Sequence, residues 1–320
     1  MHFFKGFSLI LVLMFPFLLL GQQDPLLSQY MFNEVFYNPA VVGLDKTTYV
    51  SAAHRTQWAG YSSSFDGKEG APSTQMINFV MPLPKTLSGV GISLVRDKLG
   101  LATNFEAQVS ISYKKKLQNG SISFGLRPSL FSHALDFNKF RAVDPEDPLI
   151  EGFGRESQLK PDIGAGVFFN GAKFFAGASV NHLLNPGFDF GIDGLNNTLK
   201  PSMMLYSGYN YQYNSNIILT PSVFIRSEFN TLSFDLGVLA TYKESMWGGL
   251  SYRQQEALIL MLGYSFLEDK SLRLVYSFDM VVQSQEAKQP TSHEISLRKT
   301  LAFIAPGPPK IIRTPRFRFD

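Results

Sequence analysis

The chain is 320 residues long, with 17% charged residues, 14% aromatics, 26 glycines and a formal net charge of +3. Soluble domains usually carry roughly 25% charged residues, so this composition suits strands that meet lipid, and the small, scattered positive charge gives no footprint for nucleic acid. The sequence has no cysteine, which excludes disulfides, thiolate metal sites, cysteine catalysis and a lipoprotein anchor.

Residues 1–21 have the plan of a signal peptide: one lysine near the start, an apolar run over 7–20, then Gly21 and polar residues, with cleavage expected before Gln22. The run is shorter than the ~20 residues that a spanning helix needs. No later apolar stretch is long enough to cross a bilayer as a helix, so any crossing is made by strands. Residues 22–46 are too aromatic for a linker and too broken by Asn, Pro and Gly for a long helix. They read as a non-barrel piece that plugs the lumen or sits at its periplasmic mouth; a simple lead-in packed under the rim is the other reading. Its candidate residues are Gln29, Tyr30, Met31, Phe32, Asn33, Asn38, Pro39, Ala40 and Gly43.

From about 47 to 303 apolar and polar residues alternate with period two, the mark of strands with two different faces. Over 104–114, for example, Phe105, Ala107, Val109, Ile111 and Tyr113 share one face, and Asn104, Glu106, Gln108, Ser110, Ser112 and Lys114 the other. Turn signals divide the region into about 14 strands, near 47–57, 72–81, 87–97, 102–116, 120–134, 160–169, 171–182, 199–213, 216–227, 231–242, 246–254, 257–267, 270–281 and 292–303. The joins sort by length. Tight ones fall at 82–86, 117–119, 170–171, 214–215, 243–245 and 268–269, while every long one, at 58–71, 135–159, 183–198 and 282–291, lies on the opposite side. The expected fold is all-β, a transmembrane antiparallel barrel with short periplasmic turns, longer outer loops and both wall ends in the periplasm. Residues 304–320 follow as a basic, proline-rich periplasmic tail, either disordered or a docking peptide.

No catalytic constellation stands out. G-x-S-x-G is absent, and the neighbouring pairs Ser132–His133 and Ser292–His293 point to opposite faces of a strand. Asp144, Glu146 and Asp147 lack the framework of a calcium loop. The expectation is a non-enzymatic protein with no cofactor and no metal. The inward faces carry mixed charge instead: Glu106, Arg127, Asp235, Arg273, Asp279, Glu294 and Arg298. Such charges must be hydrated or paired, either with one another or with whatever fills the lumen.

An ordered series of motifs carries a family resemblance. It runs Q-Q-D-P-x-x-S-Q-Y-M-F-N, Y-N-P-A-x-x-G, R-x-Q-W, G-A-P-S-T-Q, G-V-G-I-S-L-V-x-D-K-L-G and, near the end, S-H-E-I-S-L-R. With it the mature chain resembles the PorP/SprF family of type IX secretion system membrane proteins from Bacteroidetes. The resemblance implies an outer-membrane barrel that works with secreted surface proteins, commonly adhesins bearing a C-terminal sorting domain, and with periplasmic ring or peptidoglycan-linked components in secretion or gliding. Two departures are a longer first outer loop, at 62–69, and a tail that continues past P-R-F to Asp320. Outer-loop aromatics Trp58, Phe137, Phe140, Phe153, Phe188 and Phe190 are the candidate cargo contacts. The N-P-A triplet is also similar to one in the N-terminal hatch of long-chain fatty-acid transporters, which implies a channel for hydrophobic solutes as the alternative.

Overall fold

The structure, a computed structural model, describes residues 24–61, 70–83, 88–139, 154–190, 195–228, 231–283 and 288–302. The signal-peptide and tail expectations, the acidic loop residues, Phe140 and Phe153 lie outside them.

Fourteen antiparallel strands form a closed barrel. In chain order the wall is β1 (Thr48–Thr56), β2 (Ser73–Pro82), β3 (Gly89–Leu99), β4 (Ala102–Leu117), β5 (Gly120–Asp136), β6 (Arg155–Gly171) and β7 (Phe174–Asn181). After a small outer hairpin, β8 (Gly187–Phe190) with β9 (Leu195–Thr198), the wall resumes at β10 (Ser202–Tyr209), which β11 (Tyr211–Gln212) extends. It ends with β12 (Ile217–Glu228), β13 (Thr231–Tyr242), β14 (Met246–Arg253), β15 (Ala257–Phe266), β16 (Leu272–Val281) and β17 (Thr291–Leu301). Closure is made by β1 against β17, with Thr48 opposite Leu301.

Period-two alternation is expressed as a lipid face and a lumen face. Leu126, Leu205, Leu236, Leu250 and Leu260 stand exposed around the outside, while Ser110, Arg127, Asp235, Ser251 and Ser277 are buried inside. Outward rings gather at the short-turn end: Tyr113, Phe124, Phe174, Tyr209, Tyr211, Tyr242, Tyr264 and Phe266, the position of an interfacial girdle. Lys299, a cation on the outer face, lies at that same end and donates to Ser271 Oγ at 2.6 Å, so it does not meet the hydrocarbon.

Three details correct the expected layout. β5 and β6 run to Asp136 and from Arg155, because their pairing continues well beyond that of β6 with β7, out to Asp136 opposite Arg155. Asn170 and Gly171 finish β6, and the turn falls on Ala172 and Lys173, since pairing with β7 already sets Asn170 opposite Phe175. The segment 183–198 is not all loop but carries the β8–β9 hairpin, with Gly187 opposite Thr198.

Candidate functional site: a lumen occupied by the N-terminal segment

Residues 24–45 run through the lumen from its outer half to its short-turn end. They form a chain of single turns, a 3-10 turn Tyr30–Phe32, one α-helical turn Glu34–Tyr37 and a 3-10 turn Pro39–Val41. Asn, Pro and Gly prevent a longer helix, and isolated turns leave many backbone groups unpaired. The inward polar residues of the wall supply the missing partners.

At the outer end, His182 stands between two carboxylates, with Nε2 at 2.7 Å from Asp24 Oδ1 and Nδ1 at 2.5 Å from Asp162 Oδ2. Both ring nitrogens donate, so the imidazole is a cation. Burial opposes its protonation, but the Asp24 charge and the bonds to Asp162 and Asp24 hold it well above its ordinary value. Burial likewise works against the Asp24 carboxylate, and the His182 charge and hydrogen bond hold it below the ordinary range. The histidine contribution is complete below about pH 6.5, the unperturbed value, and is lost as pH rises through the raised one; the aspartate contribution is lost only as pH falls through its depressed value. Amides next to Asp24 should therefore keep constant hydrogen-exchange protection across mildly acidic and neutral pH and lose it in alkali. His182→Ala should abolish that alkaline step.

Deeper in, Ser28 and Gln29 meet the acids of β16 and β17. Ser28 N–H donates to Glu294 Oε2 at 2.6 Å and Ser28 Oγ to Asp279 Oδ2 at 2.6 Å. Arg55 bridges this pair, with Nη2 at 2.8 Å from Asp279 and Nη1 at 3.5 Å from Glu294, and Nη1 also donates to Ser28 Oγ at 2.6 Å. Gln29 Nε2 donates to Glu294 O at 3.0 Å. Two strands along the wall from β16, Arg253 of β14 makes a forked pair with Asp235 of β13, Nε to Oδ1 at 3.1 Å and Nη2 to Oδ2 at 2.8 Å, and Nη2 also reaches Leu27 O at 2.9 Å.

At mid-height Arg127 of β5 caps the helical turn, donating to Phe36 O at 2.7 Å and Val35 O at 2.6 Å. Asn38 bridges two wall strands, giving its amide to Val167 O at 3.0 Å and Ala178 O at 3.3 Å and accepting from Ala40 N–H at 2.9 Å. Pro39 and Ala40 lie on Gly125, where an added Cβ would fall 2.7 Å from Ala40 Cα. Gly43, at φ 74°, closes against Gly89 in the same manner, 2.6 Å from the Cβ that residue would carry. Only glycine permits the close backbone approach at either place. Between these contacts Tyr30 stacks on Phe224 at 5.3 Å, and Tyr37 lies 4.7 Å from the same ring.

Among the seven inward charges, Arg127, Asp235, Asp279 and Glu294 converge on the N-terminal segment or on the arginines that hold it. Glu106 instead accepts from Gln108 Nε2 at 2.8 Å. Arg273 and Arg298 lie near the short-turn end, where Arg298 is paired with Asp45. Met31 and Phe32 line that end of the lumen, and Asn33 folds back on Gln29 O at 3.1 Å. Arg55, Arg253 and the Asp24–His182–Asp162 cluster were missed from the sequence. Alternation could have found the two arginines, since Arg55 is in register with inward Ala53 and Arg253 with inward Ser251. The histidine cluster joins residues 158 apart and left no such signal.

Phe137, Phe188 and Phe190 are buried with Phe131 and Leu199. The reason is the β8–β9 hairpin, whose strand brings Phe188 and Phe190 onto the same side, where they stack at 6.5 Å and cover the inward ring of Phe131. Trp58 is half-buried beside Tyr61, at 6.1 Å, with Lys288 over its ring.

The sequence model of one family, described as "Type IX secretion system membrane protein PorP/SprF", matches residues 19–298. No curated protein sequence matches significantly. A TodX deltaS2S3 mutant, described as a monoaromatic hydrocarbon channel, has a similar solved structure, with 10% identity, a TM-score of 0.51 and coverage of 84% of this chain and 94% of that one. The P. putida toluene transporter TodX gives 12% identity, a TM-score of 0.48 and coverage of 82% and 92%. A Pseudomonas aeruginosa FadL homologue gives 13%, 0.44, and 83% and 93%. At such identities the likeness is one of fold alone.

Proposed function

The chain belongs to the PorP/SprF family of type IX secretion system membrane proteins, and from that premise we propose that this outer-membrane barrel accepts a secreted surface protein by its C-terminal sorting domain and links it to the secretion or gliding machinery. Family and fold are both of non-enzymatic kinds. The observation that carries the reading is the occupied lumen: a segment of the chain itself is bonded to the wall from Asp24 to Asp45. A barrel so filled is suited to holding a partner at its outer rim rather than to passing solute. Binding there would rest on loop backbone and on Trp58, not on the buried rings of Phe137, Phe188 and Phe190. The rival, a channel for hydrophobic solutes, requires a continuous path beside this segment, and liposome swelling would reveal one.

The pairing of β5 with β6 out to Asp136 and Arg155 sets where a loop can be cut without harm to the wall. Deletion of residues 140–153 should release the secreted partner into the medium while the barrel keeps its heat-modifiable mobility on gels. Undiminished surface display by that variant would refute the receptor reading.

A further inference from the structure

Two like charges face each other at the short-turn end of the lumen. Arg273 of β16 and Arg298 of β17 are direct cross-strand partners, both on the inward face, an arrangement that disfavours folding unless something offsets it. Arg298 is offset: it is paired with Asp45, donates to Thr47 Oγ1 at 3.0 Å and lies 3.5 Å over the Tyr49 ring. Arg273 is not. No carboxylate among the described residues forms an ion pair with it, and its Nε is buried without a hydrogen-bond partner. Its guanidinium instead lies over two rings, 4.3 Å from the Trp247 centroid and 5.9 Å from that of Phe32.

The two arginines open on a cavity of about 260 Å³ at the foot of the N-terminal segment. Its remaining wall is partly apolar, from Phe32, Leu44 and Phe175, and partly polar, from Asn170, Asp45 and Glu34. Asp45 is already engaged by Arg298. Burial holds the Glu34 carboxyl up at about 7, so that residue brings at most a partial charge. The cavity therefore holds an excess of positive charge, at most one unit, beside a planar donor.

We infer that this cavity is a binding site for a carboxylate presented from the periplasm, taken by Arg273 with Arg298 in support. A guanidinium offers parallel N–H donors that match the two carboxylate oxygens, and the neighbouring rings of Trp247 and Phe32 help to hold it in place. The apolar wall accommodates the methylenes that carry the acid. A single uncompensated charge, with Asp45 and Glu34 close by, favours a monoanionic group over a doubly charged phosphate. The carboxylate comes either from a free small acid or from an acidic side chain of a periplasmic protein. The site does not depend on how the outer loops engage cargo.

Trp247 makes the site observable, because the chain contains only two tryptophans. In full-length protein carrying Trp58→Phe, refolded in nanodiscs, Trp247 fluorescence is followed against butyrate, inorganic phosphate and a terminally blocked hexapeptide with one glutamate, at constant ionic strength. Butyrate should give a saturable change, Arg273→Gln should weaken it at least tenfold, and Arg298→Gln should weaken it less. Tighter binding of the peptide would identify a protein as the source, and equal binding a free acid; both support the site. A flat wild-type titration on folded barrel, or an unchanged response in Arg273→Gln, would overturn it. Phosphate binding tenfold tighter than butyrate would overturn the assignment to a carboxylate.

Discussion

Gly125→Leu should convert a closed barrel into a conducting one. The wall strand at Gly125 touches the backbone of Pro39 and Ala40, so a side chain there occupies the space of the Asn-Pro-Ala turn. Overpacking of a filled site costs about 1–3 kcal/mol or more. The wall itself has little to lose, since Gly125 pairs regularly with Ser112 and Gly166. The turn is the part that yields. Asn38→Ala acts on the same contact from the other side, by removing the three hydrogen bonds of that side chain. At about 1 kcal/mol each, their loss amounts to about 3 kcal/mol, or roughly two decades in the population of the displaced state. Single-channel recordings in planar bilayers should show both variants conducting where the wild type does not. If both stay silent with barrels that remain folded, residues 24–45 are not the seal.

Arg253→Met should be the more damaging change to stability. Arg253 and Asp235 are both buried, and among the described residues the arginine alone donates to the carboxylate and to the Leu27 carbonyl. Removal of one member of a buried pair costs about 3–5 kcal/mol, because it leaves an uncompensated charge. The double change Arg253→Met with Asp235→Leu removes both charges and should recover most of that loss. Urea unfolding in vesicles, read by gel mobility, measures each. Equal destabilisation by the single and double variants would mean that packing, not the charge pair, holds this part of the wall.

The same residues show what kind of information the chain carries locally. Alternation is a property of neighbours two apart, and it assigned a face to Arg127, Asp235, Asp279 and Glu294 without knowledge of the fold. Turn residues did the same for loop lengths, and hence for the strand count and the side on which each loop falls. The resemblance to type IX secretion membrane proteins was likewise legible, as a series of short motifs in order.

Which inward charge meets which is a different matter. Ser28 reaches Glu294 across 266 residues, and Leu27 reaches Arg253 across 226. Such pairings follow from barrel closure and strand register, which no local window contains. Residues 24–45 also look alike as a plug, a lead-in or a mouth cover until the wall around them exists, because isolated turns have no structure that they can hold alone. Phe188 and Phe190 read only as loop rings for the same reason: their burial depends on a hairpin packed against Phe131. Sequence by itself determined the wall, its two faces and the end at which the long loops gather, since these follow from period two and turn chemistry. Tertiary structure alone decided what fills the lumen and which charges hold it, since those partners are brought together only when the first strand closes on the last.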